Sequence, residues 1–89
     1  MGSHLIRYEK MVRGIPLWLL QEYLQEMGGT SREPGQIDTP YWSARLTQIE
    51  DFQLGSLRVG QVEIKIEGEA EAMYQLQLVL EKKLLRAGG

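Results

Sequence analysis

Arg45, Arg58 and Lys65 are the side chains whose type and setting point most directly to a ligand. Each is a cation in a run where apolar and polar residues alternate. A strand there would fix one face on a core and leave the charged face open. An open sheet face carrying cations and an aromatic, here Tyr41, can take an anion, a partner strand or another copy of the chain. Arg7, Glu9 and Glu63 fall on the same face, so charges of both signs interleave. A plain solvated face carries the same interleaving, with cross-strand ion pairs of little individual worth.

Other chemistries have less to stand on. There is no cysteine, and the one histidine, His4, sits in Met1-Gly2-Ser3-His4, which reads as an expression-tag remnant and is set aside. Disulfides, thiolate nucleophiles, structural zinc and imidazole bases drop out together. Glu67, Glu69 and Glu71 are hard-cation ligands by type, but they open a helical pattern, where the helix dipole alone accounts for acidic residues. Glu22 and Glu26 lie one turn apart on the wet side of a helix, whereas a catalytic carboxylate pair needs dissimilar, partly buried environments. Gly55 and Gly60 have the spacing of a phosphate loop without the lysine and hydroxyl residue that follow it. The final Gly88-Gly89 matches the tail of ubiquitin-like sulfur carriers, but here it directly follows a helix. An enzyme is not expected, nor a metal or a cofactor.

Eighty-nine residues make one small domain, expected over residues 5–87 with a flexible Gly-Gly tail at 88–89. A net charge of −2 argues against nucleic acid and anionic lipid as partners. No apolar run has the length of a membrane span. The lack of disulfides makes the cytoplasm the expected compartment, and the lack of asparagine hints at a heat-loving source.

The elements that must position these side chains follow from periodicity. Leu5–Val12 alternates as a first strand, broken only by Lys10. Pro16 opens a helix with Leu17, Leu20, Leu24 and Met27 as its stripe, closed by Gly28-Gly29. Residues 30–40, with two prolines and a glycine, read as a mobile loop that can hide a short strand at Ile37. Tyr41–Ile49 is a second strand, Glu50-Asp51 a turn, and Phe52–Leu54 a brief third strand. Val62, Ile64 and Ile66 alternate on even positions, Leu57 and Val59 on odd ones, so the apolar phase flips at Gly60, the mark of a bulge or a hairpin turn. Residues 69–87 form a second helix on the stripe Met73, Leu76, Leu80 and Leu84, with Leu78 and Leu85 off it. The expected fold is an α+β two-layer sandwich, β-α-β(3–4)-α, with two helices on one face of an antiparallel sheet.

The run Gly14-Ile15-Pro16-Leu17-Trp18-Leu19-Leu20-Gln21-Glu22-Tyr23-Leu24 with Gly28-Gly29, then Gly55-Ser56-Leu57-Arg58-Val59-Gly60 before an acid-flanked helix, resembles a small bacterial family. It is the C-terminal domain of proteins related to the molybdopterin synthase small subunit. The resemblance covers nearly all of residues 5–87. It implies a fold similar to one half of the TATA-binding protein, strand–helix–four strands–helix, and brings no catalytic residues with it. The resulting expectation is a non-enzymatic domain that forms a homodimer or binds a protein partner. The contact would be the open sheet face, with Tyr41, or the helix flank bearing Leu78 and Leu85. The alternative is a small-molecule or anion-binding accessory of molybdenum cofactor or sulfur-carrier metabolism, with Arg45, Arg58 and Lys65 on the ligand and residues 30–40 as a lid.

Overall fold

A computed structural model describes residues 5–86; the tag remnant at 1–4, the helix end at Ala87 and the tail at 88–89 lie outside the described residues. β1 (Leu5–Arg13) puts Ile6, Tyr8, Lys10 and Val12 on one side and Arg7, Glu9, Met11 and Arg13 on the other. Pro16 is the extended N-cap of α1 (Leu17–Glu26), and its carbonyl accepts from the Leu19 and Leu20 N–H groups. Leu20 and Leu24 are buried, while Trp18 stays exposed. The helix ends with Gly28 N–H donating to Gln25 O and Gly29 N–H to Leu24 O, paired bonds that satisfy the terminal carbonyls.

The stretch at 30–40 is a β-hairpin and not the expected loop. β2 (Thr30–Glu33) and β3 (Gln36–Asp38) turn about Pro34-Gly35, and the short strand at Ile37 is present. β3 pairs with β4 (Trp42–Leu54), setting Ile37 against Ala44. Ile37 has no solvent exposure, and that burial outweighs the loop-like composition around it. Pro34 and Gly35 punctuate a turn inside the sheet.

Glu50-Asp51 is a bulge, not a turn. Ile49 faces Gln61 and Phe52 faces Val59, so β4 takes one more residue than its neighbour β5 (Leu57–Glu69). The chain reverses instead at Gly55-Ser56. Gly55 has φ +63° and Ser56 does not share the positive φ, which is the glycine-first two-residue turn whose twist suits a hairpin. Gly60, expected at a bulge or turn, is the single β5 residue opposite the Glu50-Asp51 bulge, while β5 itself runs through it unbroken. What changes at Gly60 is the face that carries apolar residues. Val62, Ile64 and Ile66 are buried under the helices, whereas Leu57 and Val59 stand on the open side. The bulge shifts β4 to match, so Phe52 and Leu54 join them.

α2 (Ala70–Arg86) follows β5 at once, one residue later than the helix expected at Glu69. Gly68 opposes Trp42 just before it, where an added Cβ would come within 2.5 Å of the Trp42 Cβ, so only glycine fits. The sheet order is β1-β5-β4-β3-β2, antiparallel throughout. α2 packs on β5 and β1, and α1 on β4, β3 and β2, closing one core against one sheet face. This is the expected α+β sandwich, strand–helix–four strands–helix. Beyond Leu46 and Gly60, β4 and β5 have no other strand to pair with among the described residues. They run on as a two-stranded arm, and the long axis reaches 52 Å. No helix among the described residues is long and apolar enough to cross a membrane.

Candidate functional site

On the open face the strands align row by row. Arg7, Glu67, Ser43 and Asp38 form one row; Glu9, Lys65, Arg45 and Gln36 form the next. Arg45 and Lys65 thus stand directly opposite, two cations in a pairing that destabilises a sheet unless something offsets it. Lys65 Nζ lies 3.8 Å from Glu63 Oε1, and Glu9 opposes Lys65 on β1. Arg45 makes no ion pair among the described residues. Its charge acts on Asp38, which accepts hydrogen bonds from Ser43 Oγ and, at 2.8 Å, from Gln36 Nε2, with Arg32 Nε at 3.6 Å. The Ser43 bond above all, then Gln36, and the charges of Arg32 and Arg45 hold the Asp38 carboxyl below its ordinary pKa. Arg45, Lys65, Arg7, Ser43 and Gln36 bring donors to one shallow depression, whose lining also carries the Glu9 and Glu67 carboxylates. Tyr41 lies just before β4, with its carbonyl taken by the Glu69 N–H, and does not line the depression.

Arg58 does not join the other two cations. It sits seven residues along β5 from Lys65, about 23 Å at the rise of a strand, and on the opposite face. It lies instead on the arm, beside Glu50, Asp51 and Gln53. Nor can residues 30–40 act as a lid over the depression. Leu46 N–H donates to Gly35 O, and Gly35 N–H to Gln21 Oε1, which lock the hairpin to β4 and α1. Glu67 is taken by Arg7 at 3.5 Å, and no three acidic or other metal-ligating residues gather among the described residues. Glu26 receives Lys83 Nζ at 2.6 Å, so it serves helix packing.

The open face also has an apolar zone that sequence reasoning missed. Ile49, Phe52, Leu54, Leu57 and Val59 cover the arm, next to Met11. The Arg13 guanidinium lies 3.8 Å from the centre of the Phe52 ring and its Nε donates to Gln61 Oε1 at 2.8 Å, fastening the end of β1 to the arm. The odd-numbered apolar residues Leu57 and Val59 were the signal, once β5 is taken as one straight strand.

α2 carries a second stripe outside its core stripe. Leu78 and Leu85 do stand together, with Tyr74 as a third member; the three are 49%, 76% and 64% exposed. Lys83 marks the side toward α1, where it meets Glu26 and the Tyr23 ring. At ~100° per residue the Tyr74–Leu78–Leu85 stripe points away from α1, over the edge at β1. Glu81, within that stripe, accepts the Tyr8 hydroxyl at 3.3 Å, and partial burial, then the Glu81 charge, push the Tyr8 phenol up to about 12. Met11, Val12, Ile15, Leu84 and Leu85 line a groove between β1 and α2.

No curated protein matches the chain. The family described as archaeal MoaD-like protein matches residues 8–89, all but the start of β1; its name is archaeal where the resemblance pointed to a bacterial family. The match takes in both helices, the hairpin at 30–38 and the whole arm, so the chain belongs to the archaeal MoaD-like protein family, with the relation to the molybdopterin synthase small subunit that its glycine and core pattern implied.

Proposed function

We propose that this chain is a non-enzymatic cytoplasmic interaction domain that self-associates through the flank of α2 bearing Leu78 and Leu85. The observation that carries the reading is the stripe Tyr74, Leu78 and Leu85, exposed together on the side away from α1. Single exposed apolar residues are ordinary, but a row of them on one face marks a contact. So short a chain also gains stability by association. Light scattering coupled to size exclusion is expected to give twice the 10.2 kDa of the monomer. Leu78→Glu and Leu85→Glu are expected to return the monomer with unchanged circular dichroism. A dimer that survives both changes moves the interface elsewhere.

A second reading rests on the Arg45–Lys65 pair, which supports an anion-binding accessory role within molybdenum cofactor or sulfur-carrier metabolism. Inorganic phosphate serves as the probe. Arg45→Ala is expected to weaken its binding by roughly tenfold, and Arg58→Ala to leave it unchanged. Wild-type affinity in Arg45→Ala removes this reading.

A further inference from the structure

The two edges of the sheet are unequally protected. β2 spans only four residues, its pairing with β3 slips between Ser31 and Glu33, and Pro34 follows; each of these blunts an edge. β1 spans nine residues in unbroken register with β5 and contains no proline. Its outward bonding groups can be assigned from Gly14, whose N–H donates to Gly60 O at 3.0 Å in the next step of the same ladder. Even-numbered residues therefore turn their N–H and C=O groups toward β5. Leu5, Arg7, Glu9, Met11 and Arg13 turn theirs outward. This edge lies beside the second stripe of α2, since Tyr8 bonds Glu81 and Leu85 shares a groove with Met11 and Val12. One side of the sandwich thus leaves both its sheet layer and its helix layer unpartnered among the described residues.

We propose that a second copy of the chain covers both layers at once, its β1 running antiparallel beside this β1 about a twofold axis at Tyr8, so that the two five-stranded sheets become one. The proposal rests on the self-association reading above and gives it a geometry. A twofold antiparallel pair sets residues of the same face opposite each other, so only alternate registers exist. With the axis at Tyr8, Arg7 faces the partner's Glu9, Glu9 faces the partner's Arg7, and Leu5 faces the partner's Met11. One step either way sets Arg7 against the partner's Arg7, or Glu9 against the partner's Glu9. An axis at Lys10 opposes that lysine to itself and Arg7 to the partner's Arg13. An axis at Met11 does pair Glu9 with the partner's Arg13, but it uses only residues 9–13 of the strand, where the Tyr8 axis uses residues 5–11. Charge therefore selects the Tyr8 register. In that register Arg7 and Glu9, both outward-bonding, form a pair that exchanges two backbone hydrogen bonds. Tyr8 bonds Glu81, so in the helix layer the same axis runs near Glu81, between Leu78 and Leu85; it brings the two second stripes together and sets Glu81 near the partner's Glu81, each carboxylate bonded by its own Tyr8 hydroxyl.

The chain has no cysteine, so introduced ones report cleanly. Arg7→Cys and Glu9→Cys proteins are prepared separately, mixed, and oxidised with glutathione disulfide. Opposed residues of a hydrogen-bonded pair have Cα atoms about 5.5 Å apart, within disulfide reach. The mixture is expected to shift to a covalent dimer of twice 10.2 kDa on non-reducing gels, with either protein alone staying monomeric. A dimer from Glu9→Cys or Arg7→Cys alone, or none in the mixture, overturns the Tyr8 register. In parallel, Arg7→Glu is expected to weaken dimerisation by roughly tenfold, and adding Glu9→Arg to restore it. Arg7→Glu sets a carboxylate opposite Glu67 and Glu9→Arg a cation opposite Lys65, so each variant is first checked for the native fold by circular dichroism and the mixed disulfide decides the register. Light scattering on the unmodified protein separates the two levels. A dimer without the mixed disulfide removes the edge pairing and leaves self-association standing, whereas a monomer at every concentration removes both.

Discussion

Asp38 accepts hydrogen bonds from Ser43 and Gln36, with Arg32 close by, so its pKa is lower in the folded chain than in the unfolded one. A carboxylate depressed in this way contributes stability above its unfolded pKa and loses it as pH falls through the folded value. Urea melts of the wild type and Asp38→Asn are expected to differ most near neutrality and to converge in acid; a pH-independent gap contradicts the assignment. Tyr8 works in the opposite sense. Its pKa rises from 10.0 to about 12, so its contribution is complete below pH 10 and is lost as pH rises through 12. Residue types were legible in the sequence, but partnerships were only partly so. Alternation correctly put Arg45 and Lys65 on the open face. The same rule failed for Arg58, because on the arm the apolar residues take the open face and the polar ones point to the helix side. Apolar-in, polar-out holds only where a core lies beneath the strand.

The hairpin of β2 and β3 is the element the sequence concealed most. Strands of four and three residues are too short to show a period, and Pro34 and Gly35 gave the stretch the composition of a loop. Only Ile37 betrayed it, and its burial supports a direct prediction. Ile37→Ala is expected to cost about 2–5 kcal/mol in chemical denaturation, a loss no exposed mobile loop would show. Both helices, β1 and the inner half of β5 were legible, because each repeats its pattern over enough residues to fix one buried face. β4 was legible only as far as Ile49. Past that point the bulge at Glu50-Asp51 resets the alternation, and two acidic residues in sequence look like a turn when the pairing strand is not in view.

At the scale of the whole molecule the sheet has a blunt edge, an open edge and an arm, and its charge and apolar surface are divided among them. The open edge has a further consequence, which concerns time and not shape. β1 is the first strand among the described residues, yet its ladder partner is the last of them, with pairs running from Arg13–Gln61 to Leu5–Glu69. Contacts at such sequence separation form late and slowly, since most of the chain must be ordered before they are rewarded. Until β5 is in place, β1 waits with both of its edges bare, nine residues long and without a proline. During that wait another chain's β1 competes with β5. Refolding from denaturant is therefore expected to give a yield that falls as protein concentration rises, while the native protein at the same concentration stays in solution.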